Sequence, residues 1–344
     1  MIRMRVTTRK RAATRLVPFR DTDSREPSVA SVVVAIMMDN RRDFFRYAGG
    51  ALWLAAGTAA CMRAGVGGAA PTAAGASPPT SGPVPNASAG FLMMQISDTH
   101  WGYQGPANPD PHGAIERAVA EIAAWPQKPD LVVHTGDVSQ MTTDVGQRKA
   151  RLAEAKELFG KLGVELRAIP GEHDASLDRG AAFEEAFGPT HWSFEHRGVY
   201  FIGVDNASDP KGGLGDEQLA WFDREVSKVP AGARLLVFAH RPLFALAETW
   251  DWYTGDGEKA IAILEKHPGT TVFYGHIHQA NLAKTGATTH ASVRALVFPL
   301  PAPMSVPEKK PLPWDASAAD HGLGYRGIVL EGGAPLWVDR ALVG

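Results

Sequence analysis

Residues whose side chains can bind a metal ion follow one apolar run after another along this chain. Each stands just past a short apolar stretch that has the composition of a buried β-strand. Because the carboxyl ends of parallel strands meet at one edge of a sheet, side chains at those ends can converge on a single site. A structural role explains one such histidine, but it does not explain a whole series. The series is Asp98, His100, Asp137, Glu172, His173, His240, His276 and His278.

The side-chain types limit the chemistry that these residues can perform. The chain has one cysteine, Cys61, so the residues after it offer no thiolate and form no disulfide. Imidazole and carboxylate groups suit Zn, Fe, Mn and Ni better than Ca or Cu(I). Two such ions need about seven protein ligands together with bridging water. The pairs Asp98-x-His100 and His276-x-His278 each bring two donors to the end of one strand.

The hexapeptide IPGEHD, residues 169–174, is the densest part of the series. A histidine between two carboxylates fits a metal site, an acid–base pair or an ordinary polar turn. The residue types alone leave these three interpretations open, and the role of Glu172 is the least obvious.

Apolar runs alternate with helical stretches from Phe91 onward, which is the pattern of an α/β fold. The periodicity predicts helices at AIERAVAEIAAW, where Ile115, Val119 and Ile122 share one face, and at QRKARLAEAKELFGKLG and DEQLAWFDREV. The final segments THASVRALVF and YRGIVLEGGAPLWVDR are expected to be antiparallel strands joined by a Pro-rich loop. The other expected strands are FLMMQISDTH, DLVVHTGD, VELRAI, GVYFIGVDN, RLLVFAHRP and TTVFYGHIH.

Five motifs, SDTH, TGD, PGEHD, FAH and GHIH, occur in this order between Gln95 and His278. Together they resemble the calcineurin-like metallophosphoesterase superfamily. The segments GGLGDEQLAW and FAHRPL also resemble an exported bacterial branch of it. The resemblance implies that residues 91–344 form a metallophosphoesterase domain of the α/β class. Its expected architecture is a four-layer α-β-β-α sandwich of two mixed sheets, with a dinuclear metal site at the C-terminal ends of the strands.

The resemblance also implies a role for each residue of the series. One metal ion would be held by Asp98, His100, Asp137 and His278. The second would share Asp137 as a bridge and add Glu172, His240 and His276. A hydroxide bridging the two ions would attack phosphorus, and Fe, Zn or Mn is expected in both positions. His173 would give a proton to the leaving oxygen, while Asp174 would hold the other ring nitrogen of His173.

Two positions depart from the family pattern. Glu172 stands where the family has Asn, and Gln140 stands where purple acid phosphatases have an iron-binding Tyr. With Asp98, Asp137, Glu172 and a hydroxide, two divalent ions give a formal charge of zero, whereas Asn would leave about +1. This predicts a preference for a phosphodiester monoanion or for a mixed-valence pair of ions.

Substrate contacts are expected from two long loops that follow ligand residues. The aromatic side chains there can stack on a base or cover an acyl chain, although packing of the loops themselves explains them equally well. A guanidinium beside a ligand can contact phosphate. The candidates are Trp101, Tyr103, Arg241, Trp250 and Trp252.

The first 90 residues have a different composition from the rest. Residues 1–63 hold 12 of the 35 basic and 5 of the 37 acidic residues, and residues 64–89 hold no charge. The segment NRRDFFR, followed by 14 residues of mild hydrophobicity, resembles a twin-arginine signal. We expect residues 37–63 to be that signal and residues 64–90 to be a disordered Ala/Gly/Pro linker. Residues 1–36 would be an upstream start artefact or an extended n-region.

These features predict a periplasmic or otherwise extracytoplasmic protein that the twin-arginine export machinery carries out folded. Membrane association is expected only through the leader or a lipid on Cys61, where TAAC forms an imperfect lipoprotein site. From residue 64 onward 23 basic and 32 acidic residues remain, which argues against duplex nucleic acid as a partner.

The sequence therefore predicts an exported metal-dependent phosphoesterase that hydrolyses a phosphodiester or phosphomonoester. The expected partner is a phosphate-ester small molecule or a lipid headgroup. Two rivals remain: a metal-dependent hydrolase of a non-phosphate bond, and a non-catalytic protein that binds a metal or ligand on the same fold.

Overall fold

The structure is a computed structural model that describes residues 90–318, 320–331 and 333–342. The predicted signal over residues 37–63, residues 1–36 and the linker up to residue 89 lie outside these described residues. Within the part that is described, no helix has both the length and the apolar character needed to cross a membrane.

The secondary structure alternates between strands and helices, as the sequence predicts. In chain order the elements are β1 (Phe91–Ile96), α1 (Pro111–Ala123), β2 (Leu131–His134), α2 (Val145–Gly160), β3 (Leu166–Ala168), α3 (Glu172–Ala175), α4 (Ala181–Phe187), β4 (Trp192–His196), β5 (Val199–Gly203), α5 (Gly215–Lys228), β6 (Arg234–Phe238), α6 (Gly257–Leu264), β7 (Thr271–Tyr274), β8 (Asn281–Thr285), β9 (Thr288–Ser292), β10 (Gly324–Leu330) and β11 (Leu336–Ala341). A 3-10 turn covers Glu248–Trp250.

Two mixed sheets form the centre of the fold. The first has the strand order β11-β10-β1-β2-β3 and the second β4-β5-β6-β7-β9-β8. In the first sheet β1, β2 and β3 are parallel, and in the second β5, β6, β7 and β9 are parallel. Their carboxyl ends therefore form the edge on which the predicted site residues stand.

Apolar side chains divide the molecule into four layers. Phe91 and Met93 of the first sheet pack against Phe201 and Phe238 of the second. The opposite face of the first sheet packs against α1 and α2, and the opposite face of the second packs against α5 and α6. The predicted α-β-β-α sandwich of two mixed sheets is confirmed.

Helix α1 shows how the sequence produces one of these outer layers. The Asp110 side chain accepts a hydrogen bond from the backbone N–H of Gly113, which satisfies a free donor of the first turn, and Pro111 begins the helix. The residues Ile115, Val119 and Ile122 are buried on one face, as predicted.

The C-terminal strands differ from the expected arrangement. β9, from the segment THASVRALVF, pairs in parallel with β7 in the second sheet, while β10 joins the first sheet beside β1. The two segments therefore do not pair with each other. The Pro-rich connection between them is long enough to cross from the second sheet to the first. Strand β4, which was not predicted, pairs antiparallel with β5.

A buried arginine connects the two sheets. The guanidinium of Arg326, on β10, makes two bonds to the Asp339 carboxylate at 2.5 and 2.9 Å. It also donates to the carbonyls of Ala291 and Ser292 on β9 at 3.3 and 2.7 Å. Each of these N–H groups of the buried guanidinium has an acceptor, so the charge is stabilised. The link joins the first sheet to the second.

His134 is buried at the end of β2 and is held in its neutral form. Its Nδ1 accepts a hydrogen bond from the backbone N–H of Gly136, so the proton is on Nε2, which lies 3.0 Å from the Thr99 hydroxyl. Burial lowers its pKa to about 3, against the opposing charge of Asp98. A proton on Nδ1 would face the Gly136 N–H, so protonation breaks this arrangement.

Acid should therefore destabilise the metal-free protein through His134. The unfolded chain takes up this proton near pH 6.5, whereas the folded protein does so only near pH 3. The stabilisation is thus present above pH 6.5 and is lost as pH falls towards 3, by up to about 1.4 kcal/mol per pH unit. Urea unfolding at pH 8, 6 and 4.5 should show a shallower loss for His134→Gln than for wild type. His191→Gln, at a half-buried histidine, is the control and should lose stability with falling pH as the wild type does. An equal dependence of the unfolding free energy on pH in His134→Gln and wild type would contradict this account.

Candidate metal centre

The predicted ligand residues lie at the ends of five strands that the two sheets bring together. Asp98 and His100 follow β1, and Asp137 follows β2. Glu172 begins α3 after β3, His240 follows β6, and His276 and His278 follow β7. Both sheets thus contribute to one cluster at the shared edge of their parallel strands.

Four side chains form the first group of donor atoms. One atom each of Asp137, Glu172, His240 and His276 lies within 4.8 Å of the others. Glu172 Oε2 is 2.9 Å from His240 Nε2, and Glu172 Oε1 is 3.0 Å from His276 Nδ1. The Glu172 carboxylate therefore faces two imidazoles at once.

Three side chains form a second group, Asp98, His100 and His278. His278 Nε2 lies 3.4 Å from Asp98 Oδ1 and 3.2 Å from His100 Nε2. Asp137 Oδ2 joins the two groups, because it is 3.5 Å from His100 Nε2 and 3.4 Å from His240 Nε2. A single carboxylate oxygen is thus shared between both.

The unprotonated nitrogens of the histidines all face the centre. In each ring the other nitrogen donates to an acceptor of the protein, which fixes the tautomer. These bonds are His100 Nδ1 to Gln140 Oε1 at 3.1 Å, His240 Nδ1 to Thr135 O at 2.7 Å, His276 Nε2 to Asp251 O at 3.0 Å and His278 Nδ1 to Phe298 O at 2.7 Å.

This arrangement fits metal ions better than it fits hydrogen bonds. The Nε2 lone pairs of His100 and His278 face each other at 3.2 Å, and such a contact is repulsive without a cation between them. Glu172 Oε2 and His240 Nε2 are buried, and neither makes a hydrogen bond of acceptable geometry within the described residues. Ligands on one ion with bonds of about 2.1 Å lie about 3.0–3.4 Å apart, which matches the separations seen here.

Burial and neighbouring charges act on the pKa values of these groups. Burial and the neighbouring His173 together lower the pKa of His100 to about 3, against the opposing charge of Asp137. The pKa of Glu172 lies well below its usual value, because His276 and His240 outweigh the opposing effect of burial. Burial alone would lower the pKa of His240, but the charges of Asp137 and Glu172 hold it well above its usual value. His100 therefore presents a neutral imidazole and Glu172 an ionised carboxylate, the forms that bind metals, while His240 must give up a proton to bind one.

The backbone at the centre is unusual. Five of the candidate ligands adopt left-handed conformations, which non-glycine residues rarely do. The φ angles are 53° at Asp98, 42° at His100, 53° at Asp137, 63° at His276 and 54° at His278. A Cβ at Gly171 would lie 2.1 Å from Asp137 Oδ1, so only glycine lets the IPGEHD loop approach that carboxylate.

His173 lies beside the second group. A donor atom of its ring is within 4.8 Å of donor atoms of His100 and Asp137, although His173 is in neither of the two groups above. Its ring meets the His100 ring edge-on at 4.5 Å between centroids. Its Nδ1 accepts a hydrogen bond from the backbone N–H of Met141 at 3.3 Å, so the neutral ring carries its proton on Nε2. That tautomer donates a hydrogen bond from Nε2, and transfer of a proton from the ring requires the imidazolium.

The predicted contact between Asp174 and His173 is wrong. The Asp174 carboxylate accepts from the backbone N–H groups of Gly171, Val138 and Ser139 at 3.0, 2.9 and 2.7 Å. It also accepts from the Ser139 hydroxyl at 3.0 Å. These four donors occupy the carboxylate, so Asp174 joins the loops after β2 and β3, and Met141 takes its place as the partner of His173.

The aromatic candidates for substrate binding do not share one position. Trp250 and Trp252 are 3% and 0% exposed and pack together in an apolar cluster, so the prediction that they contact substrate is wrong. Trp101 stacks on His112 and donates to Glu154 on α2. Tyr103 packs 4.9 Å from Phe298, whose ring is 4.7 Å from that of His278.

Other residues at the centre carry no signal in the sequence. Thr135, Asp251 and Phe298 each orient a histidine ring through the backbone carbonyl. Gln140, noted above only as a departure from the purple acid phosphatase pattern, orients His100 with its side chain. Lys309, in the Pro-rich segment, also lies within reach of the centre. Burial lowers the pKa of its amine, while the charges of Glu172 and Asp251 oppose that shift.

Arg241 is buried behind the centre rather than open to solvent. Its Nη1 lies 2.6 Å from Asp251 Oδ1, and its Nη2 lies 3.6 Å from Glu172 Oε2. The predicted phosphate contact of Arg241 therefore competes with two carboxylates.

Comparison with known proteins gives a matching family, two relatives and a similar solved structure. The model of the calcineurin-like phosphoesterase family matches residues 91–280. A protein from Arcobacter nitrofigilis named "Probable glycerophosphodiester phosphodiesterase GpdQ" is 31% identical over 166 residues, 44% of this chain and 57% of its own length. The chain thus spans little more than half of that relative.

A second relative, "Glycerophosphodiester phosphodiesterase GpdQ" from Enterobacter lignolyticus, is 27% identical over 234 residues, 61% of this chain and 79% of its own length. Among solved structures, purple acid phosphatase PPD1 from yellow lupin superposes with a TM-score of 0.51 at 13% identity. The alignment covers 74% of this chain and 54% of that one, and it supports the fold alone.

Proposed function

Because this chain belongs to the calcineurin-like phosphoesterase family and is a metal-dependent phosphoesterase, we propose that its substrate is a phosphodiester with a small alcohol as the leaving group. The observation that carries the proposal is the position of His173 beside His100, where its ring, as an imidazolium, can give a proton to an alcohol oxygen and return to neutral imidazole. The two relatives named as glycerophosphodiester phosphodiesterases support the same substrate class.

The proposed ligands are the seven residues of the two groups, with Asp137 shared. Two divalent ions held there would supply positive charge to the phosphoryl oxygens and a nucleophile at neutral pH. The chain itself fixes the donors, because each imidazole is oriented by an acceptor on its other nitrogen. Both ions are proposed to be Fe, Zn or Mn, because the nitrogen and oxygen donors of the centre suit these metals.

His173 is proposed to act as the general acid. An alkoxide is a poor leaving group, so a proton delivered to it lowers the barrier. The acid is the imidazolium, because a neutral ring that lost its Nε2 proton would become an imidazolate. The Met141 N–H contacts Nδ1 of the neutral ring at 3.3 Å, so this contact must open when the ring takes up its second proton. Asp174 is proposed to act indirectly, since it holds the loop that carries His173 against Val138 and Ser139.

The charge of the centre favours a diester over a monoester. Asp98, Asp137 and Glu172 place three carboxylates around the ions. A phosphomonoester is largely a dianion at neutral pH, whereas a diester is a monoanion. Additional negative charge at the centre therefore penalises the monoester more.

The direct test is hydrolysis of bis(p-nitrophenyl) phosphate and glycerophosphoethanolamine by protein stripped with EDTA and reloaded with Mn, Fe, Zn or Ni. We expect turnover of both diesters with at least one metal and two ions bound per chain. Two bound ions with no hydrolysis of any phosphoester would favour the non-catalytic rival. Hydrolysis of a carboxylic ester or amide alone would favour the other rival, a metal-dependent hydrolase of a non-phosphate bond.

Replacing Glu172 with Asn should shift the preference towards monoesters. The substitution removes one negative charge, so the ratio of kcat/KM for p-nitrophenyl phosphate to that for the diester should rise by roughly tenfold. Glu157→Asn, which removes a charge on the exposed part of α2, should leave the ratio unchanged. A fall in the ratio for Glu172→Asn would sink the charge argument.

Export by the twin-arginine route and a location outside the cytoplasm are also proposed, from the sequence of residues 37–63. A lipid headgroup is then an accessible source of the diester. Metal-loaded enzyme assayed with phospholipid vesicles and with soluble glycerophosphodiesters would distinguish these two sources.

A further inference from the structure

A closed ring of contacts surrounds one side of the proposed centre. Glu172 Oε1 lies 3.0 Å from His276 Nδ1, and His276 Nε2 donates to the Asp251 carbonyl at 3.0 Å. The Asp251 carboxylate then holds Arg241 Nη1 at 2.6 Å, and Arg241 Nη2 faces Glu172 Oε2 at 3.6 Å. The two carboxylate oxygens of Glu172, one ligand candidate, therefore face His276 and Arg241, which are themselves connected through Asp251.

We propose that Arg241, clamped by Asp251, is a positioning residue that balances the charge of Glu172 and fixes the orientation of its carboxylate. The proposal rests on the role of Glu172 as a ligand in the proposed function. It assigns to Arg241 a task different from direct contact with the phosphate of the substrate.

The environment of Arg241 supports a fixed position. The residue is 7% exposed, and its backbone N–H and carbonyl both bond to the side chain of Asn206. Its Nη1 also donates to the Asp251 carbonyl at 3.4 Å. A guanidinium held in this way cannot swing towards a substrate without breaking the bonds to Asp251.

The charges also require a partner for Glu172. The Glu172 side chain is 17% exposed, so water solvates its carboxylate only in part, and Arg241 Nη2 places a cation 3.6 Å from Oε2. A guanidinium remains charged at any working pH, so Arg241 gives a constant compensation. Asp251 is 53% exposed, so solvent screens its charge and it leaves most of that compensation available to Glu172.

The test is a double-mutant cycle on protein freed of metal with EDTA, read as the midpoint of thermal unfolding. Arg241→Met removes the guanidinium 3.6 Å from Glu172 Oε2 and should lower the midpoint by about 6–15 °C. With Glu172→Gln already present, the same change should lower it by no more than about 3 °C, because no charge is left to balance. Equal losses in the two backgrounds would overturn the proposal.

The chain offers a matched control for the cycle. Arg148 is also buried, at 3% exposure, and its guanidinium pairs with Asp178 at 2.5 Å. Arg148→Met should therefore cost the same with Glu172 and with Gln at that position. If Arg241→Met does not fold, the same cycle is run with Arg241→Lys, where a smaller non-additivity is expected and additivity again overturns the proposal.

Binding of inorganic phosphate to Mn-loaded protein separates positioning from direct contact. A direct contact predicts that Arg241→Met raises the Kd of phosphate by the same factor in both backgrounds. Charge balance predicts a factor at least threefold smaller when Glu172 is Gln. Since unfolding of the metal-free protein needs no turnover, absence of diester hydrolysis would reject the proposed function and leave the stability result standing.

Discussion

Asp137→Ala should abolish hydrolysis of phosphodiesters, with kcat/KM lowered by at least about a thousandfold. Asp137 Oδ2 is the oxygen that approaches donor atoms of both groups, at 3.5 Å from His100 Nε2 and 3.4 Å from His240 Nε2. Its loss removes a ligand from each proposed ion at once. Metal analysis should accordingly fall from two ions per chain to one or fewer.

Asp137 Oδ1 has a second function that the same variant removes. It accepts the backbone N–H of His173 at 2.9 Å, so the alanine variant also loosens the loop that carries the proposed acid. Asp216→Ala, at the exposed start of α5, is the control for loss of a carboxylate. Two tightly bound ions and wild-type turnover in Asp137→Ala would disprove the shared-ligand arrangement.

His173→Ala should lower kcat strongly for substrates with alcohol leaving groups and only weakly for those with good leaving groups. General acid catalysis contributes about 10²–10⁴-fold where the leaving oxygen needs a proton. We therefore expect a loss of that size for glycerophosphoethanolamine and less than about tenfold for bis(p-nitrophenyl) phosphate. The comparison isolates proton donation from any general damage to the centre.

Metal content distinguishes this effect from that of Asp137→Ala. His173 lies outside both ligand groups as proposed, so His173→Ala should retain two ions per chain. His191→Ala, whose ring packs on Trp221 away from the centre, is the matched histidine control. Equal losses with both substrates would show that His173 does not act as the acid.

The part of the site that the sequence predicts best depends on strand ends. Asp98, Asp137 and His240 follow apolar runs that form parallel strands, and parallel strands place their carboxyl ends on one edge. The apolar pattern of each segment and the parallel pairing of the strands both place these residues at one edge, so the seven donor residues are brought together as expected. The four layers also follow from apolar alternation with helices.

The remainder depends on contacts between residues far apart in the chain. Asp251 and Phe298 act through carbonyl oxygens, which carry no sequence signal. Trp250 and Trp252 have the composition of a substrate surface, but the direction of a loop side chain is set by the core that it meets. The partner of Asp174 was mistaken because backbone N–H groups, rather than its neighbour His173, lie in front of the carboxylate.

The left-handed backbone at five of the candidate ligands restricts how these positions can change over evolutionary time. Asp, Asn and His tolerate such conformations better than most residues, and glycine tolerates them best. At Asp137 and His276, therefore, the backbone favours some of the same residue types that metal binding favours. A descendant that lost its metals would still be held near Asn, His, Asp or Gly at these positions, so its sequence would keep the outline of a centre that it no longer used.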